Sequence, residues 1–349
     1  MTEDDGVQTS RRGLLKWAAA AGLPLGAMLS GCRSGQVSGR AGGKRKRLRA
    51  AFSNGGLQTT WCKLGHDAAM LWGDLLDVEV VWVDGELNAQ KQRDKLDLIV
   101  DDDWDFCAFQ ALQIDTLEQP VRQLGKRAIP VVSMDTLLVD KDRLREVGVW
   151  VQVAADHRQL AESSTRYLMQ RIGGRGKVIH IGGSSGHSGA RARRDGFEKI
   201  VAGYPDVEVV GGGVRWCDWK TEVARDTFTA LLGQSDEPIA GAFFHNDDMA
   251  LACIPALADT PHEKMVVTAV DGQEEGLRGV KQGKLAATVV NPTCMIHMIS
   301  LVVGQFIVRN GETLDRLPLQ IPLPGPLVSK EAGNIEAMFY LSNPKHCLV

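Results

Sequence analysis

The 349-residue chain has almost no net charge: 40 Lys+Arg stand against 43 Asp+Glu, a formal balance of -3. Without a basic excess it lacks the footprint of a protein that works on nucleic acid, and none is expected as a partner. Past residue 50 no uninterrupted apolar run reaches the roughly 18 residues that a spanning helix needs. The seven cysteines form no Cys-x-x-Cys pair and no zinc-finger spacing with histidine, so no metal site is expected. The string GGSSGHSG at 182–189 follows a strand pattern and opens a helix, but lacks the Gly-Lys-[Ser/Thr] ending of a phosphate loop. Turning glycines explain it, and no nucleotide or other cofactor is implied. What is present is 44% hydrophobic residues and 24% charged, the balance of an ordinary folded chain long enough for two domains.

The front end is different in kind. Ser10-Arg11-Arg12-Gly13-Leu14-Leu15-Lys16 leads into an apolar stretch at 17–29 and then Leu29-Ser30-Gly31-Cys32. A basic segment, a short apolar segment and small residues before a cleavage point define a secretory signal. The paired arginines resemble the twin-arginine type and the ending resembles a lipobox. Residues 1–31 are therefore expected to be a twin-arginine-type lipoprotein signal peptide and Cys32 the lipidated residue, placing the protein in the periplasm or cell envelope on a membrane anchor. Residues 32–46 are Gly/Ser-rich and basic, a flexible tether. The other six cysteines, in mostly apolar contexts, read as buried thiols.

From residue 47 the hydrophobic pattern alternates between strand and helix periods. Strands are expected at 47–53, 78–83, 104–109 and 128–133, with helices at 61–76, 88–100 and 115–124 between them. A second series has strands at 150–153, 176–181, 207–210, 239–244, 264–270 and 286–290, with helices at 156–171, 189–202, 220–232, 247–257, 274–282 and 292–309. This is the βαβ signature of two doubly wound parallel-sheet domains in the α/β class. Such domains place their ligand groups at the carboxyl ends of the strands.

The loops there carry Asn54, Trp61, Gln110, Asp135, Arg191, Trp219, Asn246, Asp271 and Asn291, with His187 within reach. Amides and carboxylates are planar partners for hydroxyls, and indole stacks on the C–H face of a sugar ring. These are the materials of a polyol site. His245 and Cys217 read as packing residues, because no activated nucleophile is visible and no catalytic residue is assigned. Asp101–Asp103 reads as a solvated turn, and Asp247–Asp248 as carboxylates at a helix N-terminus.

Five strings then resemble the type I periplasmic sugar-binding proteins of the ribose-binding kind: IPVVSMD at 129–135, GHSGARARRDGF at 186–197, FHNDDMAL at 244–251, VDG at 270–272 and GKLAATV at 283–289. Their order agrees with that family over residues 48–325. The resemblance implies two lobes, joined by three crossings near 151–153, near 291 and near 319–322. It allots residues 47–151 plus 292–319 to the first lobe and 152–291 plus 320–349 to the second. It implies Trp61 and Trp219 on opposite walls, with Gln110, Asp135, Arg191, Asn246, Asp271 and Asn291 on ligand hydroxyls. The closing set would be Asp135 on one lobe and Arg191 with Asp271 on the other. The implied function is a monomeric, non-enzymatic receptor that captures a monosaccharide or related polyol and passes it to an ABC permease. Output to a sensor kinase or chemoreceptor, or an enzyme acting on a sugar, are the alternatives. The chain departs from the ribose-binding pattern at Gln58-Thr59-Thr60-Trp61, Thr136 and Gln110-Ala111, so a pentose, hexose, furanose or cyclitol would each fit.

Overall fold

Val, Ile, Phe and Ala crowd the strands, and three of them are apolar without interruption or nearly so: β3 (Phe106–Phe109), β4 (Val131–Met134) and β9 (Gly241–Phe244) are buried at every position. Continuous burial is the mark of parallel strands covered on both faces. The computed structural model describes residues 46–347. The expected signal peptide, Cys32 and most of the tether lie outside the described residues.

The first sheet contains β1 (Leu48–Asn54), β2 (Val78–Asp84), β3, β4, β5 (Val149–Ala155) and β12 (Gln320–Leu323), in the order β12-β5-β4-β3-β1-β2. All its pairings are parallel. Around it lie α1 (Thr60–Leu75), α2 (Ala89–Ile99), α3 (Glu118–Lys126) and the short α4 (Leu144–Val147). The second sheet runs β13-β11-β10-β9-β6-β7, with β6 (Gly176–Gly182), β7 (Val207–Val209), β10 (Val266–Asp271), β11 (Ala287–Val290) and β13 (Leu327–Ser329); the two-residue β8 (Arg215–Trp216) pairs with β6. Only β13 is antiparallel, against β11. Its helices are α5 (His157–Arg171), α6 (Ser188–Val201), α7 (Thr221–Leu232), α8 (Asp247–Cys253) and α9 (Glu274–Gln282).

Each sheet switches winding direction once. After β2 the chain returns to the other side of β1, and after β7 and β8 it returns to the other side of β6. Crevices open at such switch points. Local side chains fix where helices begin there: Thr59 accepts from Cys62 N, His187 Nδ1 from Ala190 N and Asn246 from Met249 N.

α10 (Thr293–Asn310) is long and apolar enough to cross a bilayer by length and composition, but it packs against α1, β3 and β4 in the first lobe. The six cysteines among the described residues are free and buried.

The lobe boundaries differ from those expected. β5 stays in the first sheet through Ala155 and β12 pairs beside it, Gln320 opposite Gln152 and Leu323 opposite Ala155. The two crossings therefore follow Ala155 and Leu323, because backbone pairing between the two strands extends both beyond 151 and 319. The tail also departs from a purely second-lobe assignment. α11 (Ile335–Leu341) packs on α9 and β13, but Trp72 Nε1 then donates to Pro344 O at 2.8 Å and Cys347 is buried with Ala68, Cys294 and Met298 of the first lobe. The chain end thus returns across the hinge.

Candidate ligand-binding site

Between the two sets of strand ends lies a cavity of about 410 Å³ of empty space, part of it open to solvent. That is within the usual span for small-molecule sites. Of the residues expected to bind, Trp61, Gln110, Asp135, His187, Trp219, Asn246, Asp271 and Asn291 line it.

From the first lobe, Asp135 follows β4. Its Oδ2 accepts from Gln110 Nε2 and its Oδ1 from Asn291 Nδ2, each at 3.0 Å. His157 Nε2 adds a third contact at 3.2 Å to Oδ1. Burial raises this carboxyl, but the charge and hydrogen bond of His157, the Asn291 amide and His187 outweigh it and hold the group well below the usual carboxylate range. Asp135 is thus an acceptor facing ligand donors.

From the second lobe, Asp271 ends β10. Its Oδ1 receives Arg193 Nη2 at 2.9 Å, and Arg193 Nη1 also donates to His245 O. Burial pushes the Asp271 carboxyl up to about 7 against the pull of Arg193, with Asp248 and Asp135 adding repulsion. Asp135 and Asp271 have φ of 59° and 118°. Such backbone costs a non-glycine residue on the order of 1–3 kcal/mol, a strain that gathers at functional sites.

The aromatic walls are positioned by different means. Trp61 Nε1 donates to Asn291 O at 3.0 Å, which ties the first turn of α1 to the hinge. Trp219 stands edge-on to His187 at 4.9 Å and lies on Gly183, where a Cβ would run into the indole. The glycines at 182–183 thus make room for rings: Gly182 admits Trp216 and Gly183 admits Trp219. Two buried polar atoms of cavity-lining residues, Arg193 Nε and Asn291 Oδ1, have no partner among the described residues. One is a donor and one an acceptor, so a hydroxyl can satisfy either.

Two expected residues are elsewhere. Arg191 is exposed and its Nε donates to Ser185 O at 2.6 Å; Arg193 takes the cleft position instead. The reason is helical phase. The buried stripe of α6 is Gly189, Ala190, Arg193, Gly196 and Phe197, and residue 191 falls on the opposite side. That spacing could have identified Arg193 from sequence. Asn54 is buried but does not line the cavity, because its Nδ2 is bound to Cys62 O at 2.8 Å, bracing the first turn of α1. Asp247 and Asp248 are also not simple caps: Asn246 caps α8, Asp247 accepts from Gln273 N and Thr288 Oγ1, and Asp248 Oδ2 accepts from Thr60 N of the other lobe at 3.0 Å.

Further contacts join the two rims, Ile114 N to Gly186 O at 3.0 Å and Leu137 N to Ser188 Oγ at 2.9 Å. The lobes are closed on one another.

A family profile described as "Periplasmic binding protein domain" matches residues 50–298. The chain belongs to this family. Among curated relatives of this periplasmic binding protein, the xylitol-binding protein of Mycolicibacterium smegmatis is 25% identical over 323 residues, 93% of this chain and 86% of the relative. The ribose import binding protein of Salmonella typhimurium is 24% identical over 257 residues, 74% of this chain and 83% of the relative. Among solved structures, a galactofuranose binding protein superposes with a TM-score of 0.76 at 16% identity, covering 86% of this chain and 99% of the other. At that identity the likeness establishes the fold: two parallel-sheet lobes of the type I periplasmic binding proteins.

Proposed function

We propose that the protein captures a monosaccharide or a related polyol between its lobes by hinge closure and delivers it to an ABC importer permease, held at the membrane through a lipid on Cys32. The observation that carries this reading is that Asp135 on one lobe and the Arg193–Asp271 pair on the other line one cavity with Trp61 and Trp219. The groups divide the work of holding a neutral, hydroxyl-rich molecule. The carboxylate of Asp135 accepts from hydroxyls, the Arg193 guanidinium donates to them, and the indoles cover the C–H faces. Ligand contacts made from both lobes at once favour the closed form, the general logic of hinge closure. The relatives named for xylitol and ribose support a polyol or pentose of that size.

The test is a thermal-shift screen of the purified protein with D-ribose, xylitol, myo-inositol and aldohexoses, followed by calorimetry. A ligand at 100 times its dissociation constant adds about 2.7 kcal/mol of stability. At least one polyol should raise the melting temperature and be recovered chemically unchanged. A panel with no shift, or a converted ligand, rejects the reading. Mass spectrometry of exported wild type beside Cys32→Ser tests the anchor.

A further inference from the structure

We infer that His157 is a positioning residue for the ligand site: from the second lobe it holds the Asp135 carboxylate of the first lobe in the orientation that receives a ligand hydroxyl. The functional half of this rests on the polyol reading above; the positional half does not.

His157 is the first residue of α5, just past the crossing that follows Ala155. Asp156 caps the helix by accepting from Gln159 N at 3.1 Å, so the backbone at 157 is fixed. The ring then turns back toward the lobe the chain has just left. Its Nε2 lies 3.2 Å from Asp135 Oδ1 and 3.2 Å from Asp135 O, so one ring nitrogen grips both the side chain and the backbone of a residue at φ 59°. The Nε2 end of the ring also rests on α6 at Gly189, where a Cβ would stand 2.9 Å from Nε2. The imidazole is clamped between the two lobes and buried.

A carboxylate offers about four lone-pair positions. Gln110, Asn291 and His157 occupy three on Asp135, which leaves one directed contact for a ligand. Gln110 and Asn291 line the cleft; His157 does not. It stands behind Asp135, where a second cavity of about 790 Å³ of empty space, part of it open to solvent, is lined by Lys141, Gln152, Ser188 and Gln320. His157 therefore acts on the ligand only through the carboxylate, and without it only the Gln110 and Asn291 amides keep Asp135 from turning toward that second cavity. The other titratable groups near the pair are Cys62, His187, Arg193 and Asp271, which line the cleft, Lys141 and Asp156 on the rear, and the buried His245 and His297.

The test compares wild type with His157→Gln, which keeps a donor, and His157→Leu, which does not; His157→Phe replaces the latter if it fails to fold. The Asp135 carboxyl is titrated by carbon NMR without ligand, assigned with Asp135→Asn, and xylitol and D-ribose affinities are measured by calorimetry from pH 4 to 8. In the variant without a donor the Asp135 titration moves to higher pH and affinity falls about tenfold, the scale of a hydrogen bond to a charged group. The glutamine variant returns affinity to within about threefold of wild type. An unchanged carboxyl titration together with unchanged affinity in the donorless variant overturns the inference. If no sugar or polyol of the screening panel binds wild type, the polyol reading fails; if only another member of the panel binds, it replaces xylitol and D-ribose in the calorimetry. In either case the carboxyl titration decides the positional role of His157.

Discussion

Arg193 Nη2 lies 2.9 Å from Asp271 Oδ1, and the two side chains are 3% and 6% exposed. A buried ion pair of this kind adds little by itself, yet removing one partner strands the other charge at about 3–5 kcal/mol. Asp271 also takes part in the hinge, since its carbonyl accepts from Asn291 N at 3.0 Å. The pair thus connects the rim of α6 to the second crossing.

Arg193→Ala should lower the melting temperature and weaken polyol binding at least about tenfold, because it unpairs Asp271 and removes a donor facing the cavity. Arg191→Ala should leave both unchanged, since its guanidinium is exposed and bonded to a loop carbonyl. Melting curves and calorimetry on the two variants decide between the arginines; the reverse result would reassign the site.

Asp248→Ala should loosen closure without unfolding either lobe. Its Oδ2 meets Thr60 N across the cleft at 3.0 Å, and the two residues share no sheet. Small-angle scattering should show a larger radius in the variant than in wild type under saturating ligand. Identical curves would remove Asp248 from the closing contacts.

Gly183→Ala forces a Cβ into the Trp219 indole. Overpacking of this sort costs about 1–3 kcal/mol, and here the cost falls on a wall of the cavity. Affinity should drop and the tryptophan emission should shift. An unaltered emission spectrum would mean that Trp219 does not rest on Gly183.

The fold should be acid-labile in part through His180. Burial, with Arg194 adding to it, lowers this group from 6.5 to about 3, and its Nε2 lies 2.9 Å from His245 Nε2. Burial also drives His245 well down, with His180 and Arg193 reinforcing it. Because the folded value lies below the unfolded one, the unfolded chain takes up the proton first. The stability due to the neutral ring is complete above pH 6.5 and is lost as pH falls toward 3, at about 1.4 kcal/mol per pH unit. His180→Gln should flatten the fall in denaturant stability between pH 6 and 4 by about that slope. An equal slope in both proteins would show that His180 does not titrate on unfolding.

The residues facing the cleft divide according to how far their reasons reach along the chain. Trp61, Gln110, Asp135, Trp219, Asn246, Asp271 and Asn291 stand at or just beyond strand ends or at helix starts, where local period and loop composition mark them. Asn54 meets the same local criterion and still turns away, because the backbone of α1 claims its amide. Arg191 and Arg193 differ only in helical phase, and the stripe of α6 distinguishes them.

Local patterning is therefore enough for the alternation of strands and helices, the α/β class and most of the polar groups at the strand ends, since each depends on a period of two or 3.6 residues and on short caps. Tertiary structure alone decides which partners those groups acquire. Thr60 meets Asp248 across 188 residues, Arg193 meets Asp271 across 78, and His157 meets Asp135 across 22 that include a lobe crossing. None of these separations carries a periodic signal. The first and third arise when two independently wound sheets close on each other, and the second when α6 and the end of β10 within one lobe bury a guanidinium and a carboxylate that must pair.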